Sequence, residues 1–307
     1  MKMKSNFLIP VVGPTAIGKT AVAIKLAKHF SSEIVSADSR QFYKEMQIGT
    51  AVPSKEELAQ VKHHFIQHLS VEQNYSVGNF EKDALRKLER LFKTYSHIFL
   101  VGGSGLYVDA VTKGLDYFPP VSPNIRKELN KIFEENGLEE LVEELKVKDP
   151  EFSEKADLQN PQRVIRALEI CRGTDKNFSY YRNKPKPTRD FSSVKIGLTA
   201  PRELIYERIE QRVDKMMAEG LLQEAEKMFA YRDRNALNTV GYKELFLYLD
   251  GQLSLEKAVE EIKKNTRRFA KRQLTWFRKD KEIKWFAHNT PISEIRAYIL
   301  QKSSPRQ

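Results

Sequence analysis

Gly13-Pro-Thr-Ala-Ile-Gly-Lys-Thr20 is the stretch from which the fold can be read. It follows the apolar run Phe7-Leu-Ile-Pro-Val-Val12 and precedes Val22, Leu26 and Ala27 at helical spacing. That order predicts strand, phosphate loop, helix. Glycines at Gly13 and Gly18 let the backbone curl so that successive N–H groups point at phosphate oxygens. Lys19 adds a full positive charge, the Thr20 hydroxyl suits Mg²⁺, and the helix N-terminus contributes its dipole. The whole segment, Gly13, Pro14, Thr15, Ala16, Ile17, Gly18, Lys19 and Thr20, is therefore a candidate site for a diphosphate or triphosphate.

Working outward, Glu33-Ile-Val-Ser-Ala-Asp38 reads as a second short strand ending on a carboxylate. Tyr95-Ser-His-Ile-Phe-Leu-Val101 reads as a third, running into Gly102-Gly-Ser-Gly105. Residues 75–92 have helical spacing, Lys195-Ile-Gly-Leu-Thr199 is a further strand, and a long helix follows over 202–217. Strands alternating with helices predict an α/β fold with a parallel sheet covered on both faces. Ligands in such sheets bind outside the C-terminal strand ends, where residues 13–20, Asp38 and residues 102–105 would gather. Residues 121–190 differ: they open after Phe118-Pro-Pro120, carry helical patterns at 125–136, 138–146 and 161–171, and close in Asn183-Lys-Pro-Lys-Pro-Thr-Arg189. This predicts a helical insertion in a core made of 1–120 and 191–307.

Composition bounds the partners. With 307 residues, 40% hydrophobic and 30% charged, the chain has the makeup of a soluble globular protein. A formal net charge of +11 predicts a polyanionic partner, nucleic acid or an anionic surface. Cys171 is the single cysteine, so no intramolecular disulfide is possible and a cytoplasmic setting is expected. Its apolar neighbours Leu168 and Ile170 favour a small packed residue over a nucleophile. No apolar stretch reaches the roughly 20 residues that span a bilayer.

Several constellations bear on chemistry. A kinase reading of the loop would gain from an apolar strand ending in Asp, but Ile98-Phe-Leu-Val101 ends in Gly102. The available carboxylate is Asp38, whose spacing alone allows a metal ligand, a turn residue or a base. Arg208 and Arg212, one turn apart, suit a clamp for a leaving diphosphate or salt bridges with Glu203 and Glu207. Over 262–278, Ile262, Thr266, Phe269, Gln273 and Trp276 share one helical face, expected to dock. Lys263, Lys264, Arg267, Arg268, Lys271 and Arg272 occupy the other arc, with no acidic residue in the run to balance them. That arc is expected to bind a phosphate backbone. Asn160 and Pro161 start a helix whose exposed row includes Gln162, Arg163 and Arg166, suited to bases, to phosphates or to ordinary surface. His63 and His64, being sequence neighbours, diverge and make a poor metal pair.

Together these residues resemble the tRNA dimethylallyltransferase family. The resemblance is carried by residues 13–20, Ser36-Ala-Asp-Ser-Arg-Gln-Phe-Tyr43, His63-His64, Gly102-Gly-Ser-Gly-Leu-Tyr107, Gln162-Arg-Val-Ile-Arg166, Val240-Gly-Tyr-Lys-Glu244 and Ala270-Lys-Arg-Gln-Leu-Thr-Trp-Phe-Arg278. It implies a P-loop, nucleotide-kinase-like core and an insertion that helps clamp the anticodon stem-loop. It also implies Mg²⁺, a monomer, and dimethylallyl diphosphate as donor to N6 of the adenine 3′ of the anticodon in tRNAs reading codons that begin with U. Asp38 would be the general base, with Ser104, Lys19, Arg208 and Arg212 the other catalytic residues. Asp38, Ser39, Arg40, Gln41, Ser104, Arg126, Gln162, Arg163, Val164, Ile165, Arg166, Gly241, Tyr242 and Lys243 would face the tRNA, joined by the basic residues Lys263, Arg267, Lys271 and Arg272. The family commonly has threonine where this chain has Ser104, which keeps the hydroxyl and loses a methyl contact. The rival readings are a phosphate-loop kinase using ATP and an RNA-binding protein with a vestigial loop.

Overall fold

The computed structural model describes residues 6–304. Seven strands form one parallel sheet: β1 (Phe7–Val12), β2 (Ile34–Ser36), β3 (His63–His64), β4 (His97–Val101), β5 (Ser192–Ser193), β6 (Ile196–Thr199) and β7 (Lys284–Ala287). Their order is β3-β2-β4-β1-β6-β7, with β5 also beside β1. β1 is central because Leu8, Ile9, Val11 and Val12 are apolar on both faces and almost fully buried. Each such side chain contributes roughly 1.5–3 kcal/mol.

Pro10 sits inside this central strand, a place where proline normally breaks a ladder. It pairs with Leu100 of β4 on one side. On the other side, β5 pairs with Phe7 and Leu8, and β6 with Val11 and Val12. The interruption between β5 and β6 thus falls beside the residue that has no amide to donate.

Helices Lys19–His29, Val77–Phe92, Arg202–Ala218, Leu255–Phe277 and Ile292–Ser303 belong to the same compact unit as the sheet. Apolar side chains fill the space on the two sheet faces. One cluster includes Leu8, Val12, Leu100 and Phe80, the other Ile9, Val11, Phe99 and Leu26. The expected strands and helices at 33–38, 75–92, 95–101, 195–199 and 202–217 appear with ends shifted by a few residues.

Residues 113–188 form a separate compact unit, with limits that differ from the 121 and 190 expected from the prolines and the lysine-rich closing stretch. Helices Pro123–Asn136, Glu139–Lys148 and Pro161–Gly173 pack around Leu129, Leu141, Leu145, Val164, Leu168 and Ile170. The buried Asp149 carboxylate caps the short helix Pro150–Lys155 through Phe152 N–H (3.1 Å) and also accepts from Ser179 N–H (2.7 Å). Cys171 packs against this core, and desolvation pushes its thiol up from its ordinary pKa.

Candidate active site

The C-terminal ends of β1, β2 and β4 deliver the functional groups. After β1 the chain turns through Gly13 to Gly18. Gly18 has φ +96° and precedes the first turn of the helix Lys19–His29, a backbone state that favours glycine. Lys19 Nζ donates to the carbonyls of Gly13 (3.1 Å) and Pro14 (2.8 Å), so its ammonium lies inside the loop. Desolvation lowers its pKa to about 8; the Asp38 carboxylate opposes this shift and Arg212 adds to it. Ile17 is buried, so it offers the site only its backbone.

After β2, Asp38 makes a tight turn. Its Oδ1 accepts from Arg40 N–H (3.1 Å) and its carbonyl from Gln41 N–H (3.1 Å). Ser39 N–H (3.3 Å) and Ser39 Oγ (3.1 Å) meet the hydroxyl of Ser104, tying the ends of β2 and β4 together. The Gln41 amide donates to the carbonyls of Thr50 (3.2 Å) and Ala51 (2.9 Å).

Two cavities open at these strand ends. One, of about 440 Å³, is lined by Lys19, Thr20, Ser36, Asp38, Arg208 and Arg212. The other, of about 550 Å³, is lined by Ser104, Asn238 to Gly241, Phe269 and Trp276, among others. Both include Thr15, Asp38 and Arg212, so a carboxylate and a guanidinium stand where a space lined by the 13–20 loop and cationic side chains meets a more apolar one. Desolvation lowers the pKa of Arg212 while Asp38 opposes it, and an arginine in such a place remains charged.

Gln273 holds the junction together, a role that neither its place on the docking face nor the family motif around it spells out. Its Oε1 accepts from Thr15 N–H (2.8 Å) and its Nε2 donates to the Gly103 carbonyl (3.0 Å). A Cβ on Gly103 would lie 2.2 Å from that Nε2, and one on Gly105 would lie 2.3 Å from the Trp276 ring. Gly103 and Gly105 are therefore needed for close approach to the helix Leu255–Phe277, and Gly102 for close approach to Ala37. Glu224 is a second such residue. Its carboxylate accepts from the N–H groups of Gln47, Ile48 and Gly49 (2.8–2.9 Å) and from the Tyr242 hydroxyl (2.6 Å), which fixes Gly49 and Thr50 in the larger cavity's wall.

Several expectations need correction. The face at 262–276 is not wholly docked: Phe269 is 38% and Trp276 42% exposed, and both line the larger cavity with Leu106. The basic arc is not unbalanced either, because Lys263 pairs with Asp214 (2.6 Å) and Arg267 with Glu210 (2.8 Å), carboxylates of the helix Arg202–Ala218. Val164 and Ile165 are buried in the insertion's core and Tyr242 is fully buried, so none of these side chains presents itself to RNA. Adjacent helical residues point to different faces, so a contiguous motif cannot expose every member.

Gly241, with φ +101°, lines the larger cavity together with the exposed Lys243. Lys271 and Arg272 are exposed, and Arg272 lies over the Phe269 ring at 5.8 Å. Within the insertion, Gln162 and Arg163 are exposed. The buried Glu169 carboxylate accepts from Arg126 (3.0 Å) and Arg166 (2.8 Å), and Arg126 also donates to Gln162 Oε1 (2.9 Å). His63 bonds the Val61 carbonyl and His64 the Glu33 carboxylate. Among the described residues no cluster of three or more His, Cys, Asp or Glu side chains is arranged for a metal, and no helix is long and apolar enough to cross a membrane.

Comparison with known proteins identifies the relatives of this chain. The chain is 58% identical to a tRNA dimethylallyltransferase of Christiangramia forsetii, over 97% of this chain and 99% of the relative. A Flavobacterium johnsoniae protein of the same name is 56% identical, over 96% and 98%. Among solved structures it resembles a tRNA isopentenylpyrophosphate transferase of Bacillus halodurans, at a TM-score of 0.73 and 38% identity over 97% of each chain. It also resembles a eukaryotic dimethylallyltransferase acting on tRNA, at a TM-score of 0.80 and 25% identity over 97% of this chain and 78% of the other. The core is thus an α/β, P-loop-like fold with a parallel sheet. Residues 41–280 match the sequence model of the IPP transferase family, and the chain belongs to that family.

Proposed function

We propose that this protein transfers the dimethylallyl group of dimethylallyl diphosphate to N6 of the adenine 3′ of the anticodon, in tRNAs reading codons that begin with U. The observation that carries this reading is the meeting of two cavities at Thr15, Asp38 and Arg212. A cavity lined by the 13–20 loop and by Lys19, Arg208 and Arg212 suits the leaving group, and an open, partly aromatic one suits a base.

The difficult step is rupture of the allylic C–O bond, whose electron pair leaves with the diphosphate while the five-carbon fragment gains cationic character. Preorganised donors lower that barrier: the backbone of residues 13–20, Lys19, Arg208 and Arg212. Binding of the polyanion favours the charged form of Lys19. The N6 lone pair then forms the new C–N bond. Asp38 orients the amine and takes its proton, so the products are the N6-prenylated adenosine and diphosphate. The base must leave the anticodon-loop stack to reach Asp38, and Ser39, Ser104, Gly241 and Lys243 stand around the space it would enter, while Gln41 borders the neighbouring cavity.

Mg²⁺ fits the oxygen-donor set here, since the Thr20 hydroxyl, Ser36 and Asp38 border the same cavity and Mg²⁺ commonly binds few protein groups plus phosphate oxygens. Thr20 would hold it, and its charge would stabilise the departing diphosphate. The exposed cations Arg163, Lys271 and Arg272 supply electrostatic attraction to the tRNA, with Arg126 and Gln162 beside Arg163 on the insertion. The protein acts as a monomer in the cytoplasm.

The test is incubation with unmodified tRNA, Mg²⁺ and radiolabelled dimethylallyl diphosphate, followed by digestion to nucleosides. Label on N6 of adenosine is expected. Unlabelled RNA together with ATP turnover would replace this reading with a phosphate-loop kinase.

A further inference from the structure

Arg40 lies in the segment Asp38 to Gln41 that the family resemblance sets against tRNA, yet its guanidinium is already engaged. Nη1 donates to the carbonyls of Asn235 (2.7 Å) and Ala236 (2.9 Å), and Nη2 to the carbonyl of Asn238 (3.1 Å). These carbonyls belong to the 3₁₀ turn Asn235–Leu237 and the residue after it. The chain continues from there into Asn238, Thr239, Val240 and Gly241, which line the larger cavity. At its other end, Arg40 donates its backbone N–H to Asp38 Oδ1 at 3.1 Å. Arg40 therefore touches the carboxylate with its amide and the cavity wall with its side chain.

Three convergent carbonyls suit a planar fork of fixed donors. A lysine ammonium on a flexible stem, a single point of charge, does not reproduce that arrangement. Desolvation also lowers the Arg40 pKa, consistent with a guanidinium set among backbone groups.

We propose that Arg40 is a positioning residue, which holds the 235–241 wall in register with the Asp38 carboxylate and does not neutralise an RNA phosphate. This rests on the reading of Asp38 as the base. The distance between a base and the amine it serves is sensitive, and a misplacement of about 1 Å can cost on the order of 10²-fold in rate. A phosphate ligand would behave differently, since each cation that neutralises a phosphate adds about 0.7–0.9 to the salt slope of binding.

The experiment compares wild type, Arg40→Lys and Arg40→Ala in single-turnover transfer, donor KM, and tRNA Kd across a salt series. Arg40→Lys keeps the charge and is the variant that folding failure is least able to confuse. It is expected to lose roughly 10–10²-fold in rate at saturating tRNA, with donor KM and the salt slope unchanged. Low concentrations of guanidinium ion should restore part of the rate of Arg40→Ala and none of that of Asp38→Ala. A general loss of folding would lower the active fraction without splitting rate from donor KM. A wild-type rate in Arg40→Lys overturns the proposal, as does a flattened salt slope in Arg40→Ala with its saturated rate intact. Full transfer by Asp38→Ala would instead remove the base reading while leaving the salt-slope result for Arg40 standing.

Discussion

The two cavities that meet at Asp38 are built in opposite ways. The loop-lined one takes most of its lining from short stretches, residues 15–21, the end of β2 and two turns of the helix Arg202–Ala218, and it is rich in charge and backbone donors. The larger one is assembled from residues as distant as Gly49, Ser104, Asn238 and Trp276, and its wall is held by side chains that grip backbone: Arg40, Gln41, Glu224 and Gln273. A leaving diphosphate is one rigid anion and needs converging positive charge. A base flipped out of a loop needs a shaped space whose walls keep their distance from the carboxylate.

The largest effect should come at the junction. Asp38→Ala is expected to lower transfer by roughly 10²–10⁴-fold, the usual range for losing a general base, with tRNA Kd within a few-fold of wild type. Single-turnover rates alongside filter binding separate the two. On the phosphate side, Arg212→Ala should cost about 10²–10³-fold in kcat, as for loss of one preorganised donor. Arg208→Ala should cost less, because Arg208 borders only the loop-lined cavity. Equal losses would mean that the position of Arg212 between the cavities has no consequence.

On the base side, Trp276→Ala should weaken productive tRNA binding by about 1–3 kcal/mol if its exposed ring stacks on a base. An unchanged tRNA KM would leave that ring with its structural contacts, the packing on Gly105 and the hydrogen bond to Asp109. The donor's affinity should follow Lys19. In the free protein its ammonium loses its proton as pH rises through about 8. Diphosphate binding favours the charged form, so affinity is full below that pH and declines above it. Isothermal titration with inorganic diphosphate from pH 7 to 9.5 checks the sign, and Lys19→Arg should abolish the dependence.

The smallest effect concerns the basic helix. Lys271→Ala should reduce the salt slope of tRNA binding by about 0.7–0.9 if it meets one phosphate. Lys263→Ala and Arg267→Ala should change it less, because Asp214 and Glu210 already pair with those cations.

That helix shows where sequence reading stops. Strand, loop and first helix were legible because the chemistry is local: residues 7–27 carry the apolar pattern, the glycines and the lysine in one run. β2, β4 and β6 followed from alternation with helices. The edge strand His63–His64 and the strand Lys284–Ala287 were not legible, being short and defined by partners far along the chain. The balancing carboxylate for Arg267 is 57 residues away. The carbonyls that occupy Arg40 begin 195 residues away. No spacing rule reports such contacts, so a charge that sequence marks as free for RNA turns out to be structural. Gln273 was visible within a family motif, but its two hydrogen bonds depend on the tertiary approach of two loops.

A crystal structure with an anticodon stem-loop and a thiolo analogue of the donor that resists ionisation tests most directly whether diphosphate and base meet at Asp38. Diphosphate oxygens are expected on the backbone N–H groups of the loop from Gly13 to Thr20 and on Lys19, with the flipped adenine N6 within hydrogen-bond reach of Asp38. A diphosphate bound away from the loop, or an adenine whose N6 faces away from Asp38, would contradict this arrangement.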